Sequence, residues 1–365
     1  MKQNLANAKK IKNDEFYTTY ETIESEMSYY WDNFKGKTIL CNCDDPELFK
    51  DFFGSKTWKK MLDEAVLKND SKLLSTANQY FKNKNPNDFE QKSSQFWLYF
   101  HKMFSSLGLK ELIATHYNNE NKVTYGMRYK GGNDLDIYDF EPIWFKTSNG
   151  DFRSEECIKL LKESDIVITN PPFSLFREFV SQIIENKKKF LIIGNMNAIS
   201  YKEIFKLIKN NELWLGVTQP KKHKVPFDTL FDDKKMIRTA NGDILQKFGN
   251  HNWFTNLDFK KRYEKYPLNY LYENESEIYR KYCNYDAINV DKIKQIPVDY
   301  FEPMGVPISF LLKWNPDQFD IIGLGRNPWI STTPNELGKQ EDVWYEDENG
   351  KKVFPYMRMI IKRRK

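Results

Sequence analysis

The tetrapeptide Asn170-Pro171-Pro172-Phe173 ends the apolar run Asp165-Ile166-Val167-Ile168-Thr169, and its groups suit the capture of a planar amine. A carboxamide oxygen and the carbonyl of the first proline can each accept one N–H of an amino group, while the two prolines hold both acceptors rigid. Phe173 would stack on the ring that carries the amine. Two acceptors aimed at the amine hydrogens stabilise the nitrogen as it pyramidalises, so its lone pair can attack a sulfonium methyl in line without a strong general base. Attack through a covalent thiolate would need a cysteine after a proline, and none of the four cysteines has that neighbour. The competing reading is structural: Asn and Pro commonly end strands, and Phe173 could be a core side chain.

The surrounding elements decide where such a site would lie. The β-branched run 165–169 reads as a buried strand, which two prolines stop. Ser174 can cap a helix whose Leu175, Phe176, Phe179, Val180, Ile183 and Ile184 form one stripe, with Lys187-Lys188-Lys189 at its negative dipole end. Phe190–Ile193 reads as the next strand, about 200–209 as a helix and Leu213–Val217 as a third strand. This alternation implies parallel pairing through right-handed crossovers. The expected fold is therefore α/β, a doubly wound, mostly parallel Rossmann-like sheet. Such sheets bind ligands at strand carboxyl ends, where residues 170–173 sit. Earlier in the chain, Thr18-Thr19-Tyr20-Glu21 reads as a capping box opening a helix from about Thr19 to Asn33. Thr38–Cys41 suits a buried strand feeding the acidic turn Asn42-Cys43-Asp44-Asp45-Pro46, and Leu112–Thr115 offers another strand.

A chain of 365 residues accommodates one catalytic core with a sizeable appendage. The expected core is 1–256, with a helical insertion at about 51–107, and 257–365 forms the appendage. Fifty-six basic against 51 acidic residues give a net charge of +5, which permits a polyanionic partner without demanding one. The four cysteines make no disulfide framework, and Cys41 and Cys43 lack a second pair at zinc-ligand spacing. Free thiols and no metal are expected. No apolar run approaches the roughly 20 residues that cross a bilayer, and the opening residues lack the apolar segment of a signal peptide, so a cytoplasmic protein with no membrane partner is expected. A dinucleotide oxidoreductase is disfavoured because no Gly-x-Gly-x-x-Gly follows the first strand, and Gly323-Leu324-Gly325 lies too late.

Several segments, in order, resemble the EcoRI-type adenine-specific (N6) DNA modification methyltransferases. They are 170–173, Asp14-Glu15-Phe16-Tyr17-Thr18, Cys41–Pro46, Gly150-Asp151-Phe152, Asn252–Leu257, Asn284–Asp291 and Gly305–Ile308. The resemblance implies a class I fold that transfers methyl from S-adenosylmethionine to an adenine flipped out of double-stranded DNA. It further implies an enzyme that protects DNA from a restriction endonuclease acting on the same site; a monomer is expected.

By the same resemblance, Tyr17 and Thr18 would lie at the methionine end of the cofactor, although Thr18 could equally cap the following helix. Asn42, Asp44 and Asp45 would contact the cofactor from the first strand's loop, which departs from the family in having no glycine. Asp151 would accept from the cofactor's adenine amino group and Phe152 pack on the purine, against the alternative of a turn residue and a core phenylalanine. Phe173 forms one wall for the flipped base, and Trp253 or Phe254 the other. Adjacent strand residues face opposite ways, so one of those two serves.

Phosphate contacts are expected among Lys221, Lys222, His223 and Lys224, among Lys260, Lys261 and Arg262, and in the tail Lys362-Arg363-Arg364-Lys365. Solvated charge runs are the bland alternative. The rest of 257–365 is the candidate target-recognition region, with the insertion as its rival. The alternative function is amino-methylation of RNA or of a protein side-chain amide, which the same tetrapeptide could serve.

Overall fold

Short apolar runs rich in β-branched residues form strands buried on both faces, as the centre of a parallel sheet requires. The structure, a computed structural model, describes residues 17–42, 68, 94–117, 124–135, 145–224, 236–239, 244–274 and 276–365. The chain divides into two compact units, 1–203 with 216–257 and 204–215 with 258–365.

The first unit contains β1 (Tyr17–Thr18), β2 (Thr38–Cys41), β3 (Glu111–Thr115), β4 (Thr124–Tyr129), β5 (Phe145–Thr147), β6 (Ile166–Thr169) and β7 (Lys189–Asn195). Residues 204–215, with the two-residue strand β8 (Trp214–Leu215), belong to the second unit. The first unit then resumes with β9 (Lys222–Lys224), β10 (Met236–Arg238), β11 (Ile244–Lys247) and β12 (His251–Thr255). Its large sheet runs β5-β4-β3-β2-β6-β7-β12. Strands β3, β2, β6 and β7 are parallel, flanked by antiparallel β4, β5 and β12. Strand β2 has β3 on one side and β6 on the other, so the direction of winding reverses between β2 and β6. That topological switch point is where doubly wound sheets bind ligands; Asn42 leaves β2 and Asn170 leaves β6 at this place. A smaller sheet, β1-β9-β11-β10, sets Thr18 directly opposite His223.

The helices are α1 (Tyr20–Met27), α2 (Gln95–Lys102), α3 (Glu155–Glu163), α4 (Phe176–Glu185) and α5 (Lys202–Lys209). Thr19 caps α1 by accepting from the Thr22 amide at 3.4 Å. The helix expected to reach Asn33 instead stops at Met27 and is followed by a 3₁₀ turn, Trp31–Asn33. Helix α3 has Ser154 as its cap and Glu155 and Glu156 in its first turn, near the positive dipole end. The stripe Phe176, Phe179, Val180 and Ile183 of α4 is buried. That helix starts later than the Ser174 cap predicts, because a 3₁₀ turn, Phe173–Leu175, follows the prolines. The third strand expected at Leu213–Val217 is not the one beside β7. Strand β12 fills that edge, antiparallel, with Phe254 opposite Ile192. Of the expected insertion, α2 is described, and it packs against α1 and β3 as part of the core. Among the described residues no helix is long and apolar enough to cross a membrane.

The carboxylate of Glu26, fully buried on α1, accepts from the Val217 amide at 2.8 Å and from the Thr218 amide and hydroxyl at 2.6 Å each. It also accepts from the Tyr30 hydroxyl at 2.8 Å. Burial pushes its pKa up against these four bonds, which pull it down. The approach requires glycine at 216, since a Cβ there would lie 2.2 Å from a Glu26 oxygen.

In the second unit β13 (Ile288–Asn289) pairs in parallel with β14 (Met304–Pro307), in a sheet ordered β13-β14-β18-β15 with β15 (Phe319–Leu324) and β18 (Arg358–Arg363). The remaining short strands, β16 (Tyr345–Glu346) and β17 (Lys352–Val353), pair with each other. The Asn289 carboxamide oxygen accepts from Tyr282 Oη and Arg358 Nε, both at 2.9 Å. Gly305 passes the same tyrosine too closely for any Cβ. The segments 284–291 and 305–308 thus build this unit's interior.

Glu26→Ala leaves up to four buried donors unpaired, and we expect a loss of about 3 kcal/mol or more in unfolding free energy. Urea denaturation followed by circular dichroism measures it. An unchanged midpoint and slope would show that the carboxylate is not a structural tie.

Candidate active site at the strand switch point

Asn42 ties together the carboxyl ends of three strands. Its side-chain oxygen accepts from Thr115 Oγ1 of β3 at 2.9 Å, and its backbone oxygen accepts from Thr169 Oγ1 of β6 at 2.6 Å. Both acceptor atoms of this buried residue therefore shape the platform from which Asn170 projects. Asn170 Nδ2 donates to Thr18 Oγ1 at 3.4 Å, which directs the carboxamide oxygen, its acceptor atom, away from Thr18. Thr19, not Thr18, caps α1, which leaves the Thr18 hydroxyl to this contact. The Pro172 carbonyl accepts from the Leu175 amide at 3.0 Å. The Pro171 carbonyl accepts no hydrogen bond among the described residues. Phe173 is half-buried, with its ring edge-on to His251 at 4.7 Å and 77°.

Gly150 brings Asp151 to the same edge of the sheet. It adopts φ +71°, and a Cβ on it would lie 1.5 Å from the carbonyl oxygen of His116, which follows β3. Only glycine fits there. Both Asp151 carboxylate oxygens accept from Arg153, Oδ1 from Nε at 2.9 Å and Oδ2 from Nη2 at 2.6 Å. That pairing lowers the Asp151 pKa despite partial burial, so the carboxylate remains an ionised acceptor. Phe152 lies in the core, edge-on to Phe179 at 5.0 Å.

Trp253 and Phe254 are adjacent on β12. Both are fully buried on opposite faces of β12, Trp253 against Phe96 at 6.2 Å and Phe254 against Phe176 at 5.1 Å. Residue alternation along the strand sends the two rings to opposite faces, and neither is exposed. Lys221 and Lys222 are exposed, whereas His223 is buried and offers no phosphate contact. Arg262 is buried too, its guanidinium 3.5 Å over the Trp214 ring with Asn211 accepting from it. In the tail, Lys362 pairs with Glu302 and Arg364 with Asp320, both at the surface. Asp44, Asp45 and the side chains of Tyr17 and Lys224 lie outside the described residues. Among the described residues no group of three His, Cys, Asp or Glu side chains could hold a metal.

The chain matches the family described as "Adenine-specific methyltransferase EcoRI" over residues 4–92 and 74–364. It belongs to that family. Among its relatives, the Type II methyltransferase M.EcoRI of Escherichia coli is 38% identical over 375 positions, covering 99% of this chain and 96% of the relative. M.MpnI of Mycoplasma pneumoniae and M.MgeORF184P of Mycoplasma genitalium, also Type II methyltransferases, are each 34% identical, covering 98% of this chain and 97% of each relative. No solved structure matches the chain.

In this EcoRI-family chain, one pair at the site escaped the sequence. His251 Nδ1 lies 2.9 Å from His223 Nε2, and Phe248 stacks on His251 at 4.5 Å and 12°. Only four histidines occur in 365 residues, and two of them meet beside the tetrapeptide; that rarity was the available signal. Burial lowers the His223 pKa to about 4, and burial together with the neighbouring His223 lowers that of His251 to about 3. Both rings are neutral at pH 7.

A depressed histidine pKa contributes stability that is present above the ordinary value of 6.5 and is lost as pH falls toward the folded value. For His223 the fall from 6.5 to about 4 corresponds to on the order of 3 kcal/mol. We expect the melting temperature of the wild type to drop more steeply between pH 6.5 and 4 than that of His223→Gln. Parallel calorimetric profiles for the two proteins would refute the assignment.

Proposed function

We propose that this protein is a site-specific DNA adenine N6-methyltransferase that takes its methyl group from S-adenosylmethionine. The observation that carries the reading is the arrangement of Asn170, Pro171 and Phe173 at the β2/β6 switch point. There a carboxamide and an adjacent proline carbonyl leave the end of a buried strand on a rigid backbone. An exocyclic amine held by those two acceptors has its lone pair directed out of the ring plane, ready for in-line attack. Asn170 is the binding and orienting group, Pro171 supplies the second acceptor, and Phe173 stacks on the base. The amine attacks as a neutral nucleophile, and the proton it sheds afterwards needs no buried base.

The residues present fit the cofactor: Asp151 is an ionised acceptor at the edge of the sheet, and Thr18 brings a hydroxyl beside Asn170. The cofactor supplies an electrophilic sulfonium methyl. Thr18 would lie toward its amino-acid end and Asp151 toward its adenine amino group, while Asn42 acts by holding the strand ends.

Double-stranded DNA is the substrate, and a restriction endonuclease reading the same site is the matching partner of a monomeric enzyme. Lys222 and Lys247 stand directly opposite each other on neighbouring strands, and both are exposed. Like charges so placed repel, and a backbone phosphate between them relieves that repulsion. These two lysines lie on the sheet that carries Thr18.

Wild type incubated with labelled S-adenosylmethionine and mixed-sequence duplex yields N6-methyladenine on nucleoside analysis, and Asn170→Ala lowers the rate by about a hundredfold or more. Label in RNA or protein but not in DNA would reject the reading. Replacing Lys222 or Lys247 by Ala weakens binding to all duplexes alike and reduces the salt slope by about 1. A loss confined to one DNA sequence would instead make them base-reading residues.

A further inference from the structure

The two ends of Asn170-Pro171-Pro172-Phe173 are tied to different sheets, and the ties meet. Asn170 bonds to Thr18 on β1, and Thr18 lies opposite His223 on β9 of the smaller sheet. Phe173 packs edge-on against His251, the first residue of β12 in the large sheet. His223 and His251 join the circuit through their 2.9 Å contact. The segment between β11 and β12 closes it a second time. Phe248 stacks on His251, lies edge-on to His223 at 5.5 Å, and donates its amide to the Lys221 carbonyl at 2.9 Å.

The proton positions follow from the partners. His223 Nε2 lies 3.2 Å from the Pro220 carbonyl oxygen as well as 2.9 Å from His251 Nδ1. A carbonyl only accepts, so one Nε2–H of His223 shared between the two satisfies both contacts. His251 then accepts at Nδ1 and carries its own proton on Nε2. The lowered pKa values of both rings agree with a neutral pair, and a neutral pair leaves no charge beside an amine about to become cationic.

We propose that the His223–His251 hydrogen bond is a positioning device that fixes Asn170 and Phe173 relative to each other. Neither histidine touches the substrate. Each acts through a neighbour, His223 through the strand partner Thr18 and His251 through the ring of Phe173. The inference rests on the reading of Asn170 and Phe173 as the groups that hold the target adenine, and it adds the residues that set their separation. Loss of the bond lets the amine acceptors and the stacking ring drift apart, which costs the chemical step while binding elsewhere persists.

The test compares wild type, His223→Leu, His223→Gln and His251→Phe by single-turnover methylation of a duplex bearing the recognised site. Each protein is also measured for cofactor affinity by equilibrium dialysis, for DNA affinity and for melting temperature. His251→Phe keeps a ring against Phe173 and Phe248 but has no acceptor, and His223→Leu has no donor. His223→Gln places an amide nitrogen near the Nε2 position. We expect the methylation rate to fall about tenfold or more in His223→Leu and His251→Phe, with cofactor and DNA affinities changed less than about twofold. His223→Gln should recover most of the loss. With 2-aminopurine at the target position, emission should differ between the impaired variants and wild type, because stacking on Phe173 quenches it.

The proposal is overturned if His223→Gln and His223→Leu are equally impaired, if rates follow melting temperature alone, or if His251→Phe methylates at the wild-type rate. If His223→Leu does not fold, His251→Phe decides by the same criteria. A wild type that methylates no DNA fails the functional reading itself, a result distinct from any of these.

Discussion

The strand ends at the switch point are held by one residue, Asn42, and the site depends on it. Strands β2, β3 and β6 stop at the same level, and a parallel sheet leaves their last polar groups without further strand partners. Asn42 answers this with two acceptors of different kinds, a carboxamide oxygen for Thr115 and a backbone oxygen for Thr169. A hydrophobic residue at 42 would leave the Thr115 hydroxyl buried without that acceptor, and an aspartate would bring a buried negative charge. Because Thr169 immediately precedes Asn170, the position of Asn170 is set by the end of β2 as well as by its own strand.

A second constraint runs through α1. The Glu26 carboxylate is taken out of water and compensated by three donors from residues 217 and 218 and one from Tyr30. The helix that follows β1 is thereby fastened to the segment that leads into β9. Strands β1 and β9 pair, so the Glu26 bonds and the strand pairing close a loop around Thr18. The cost of desolvating a carboxylate is the reason such a tie is discriminating: a shift of one residue in either segment would strand the charge. Thr18 can hold Asn170 at a defined place only because its own short strand is anchored in this way.

The parallel core was legible because its signals are local. The run 165–169 is β-branched and ends at two prolines, and the stripe of α4 has helical period, so strand, turn and helix followed directly. The strand beside β7 was misread because Leu213–Val217 and His251–Thr255 are both short apolar runs, and nothing local says which one pairs with Ile192. Trp253 and Phe254 show the same limit in another form. Their alternation was right, yet their burial depends on Phe96 and Phe176, which approach from distant segments. The role of Glu26 and the pairing of the two histidines were hidden for a related reason: a buried carboxylate on a helix or a histidine in a strand looks like any surface residue until its partners, 191 or 28 positions away, are known.

The groups brought to the tetrapeptide share an electrostatic character that bears on the chemistry. Asn170, the Pro171 carbonyl, the Thr18 hydroxyl and the neutral histidine pair are dipoles rather than charges. The nearby ion, Asp151, is matched by Arg153. An amine nitrogen that gains positive charge during methyl transfer is stabilised by oriented acceptors as soon as the charge appears, with no reorganisation. A buried carboxylate in the place of Asn170 would hold the charged product more strongly, but it would also require desolvation of an ion before the substrate arrives. Fixed dipoles avoid that penalty only if their geometry is enforced from behind, because a carboxamide displaced by an ångström loses much of its effect. The ties through Asn42, Glu26 and the histidine pair would supply that enforcement in the proposed site, which works without a strong base.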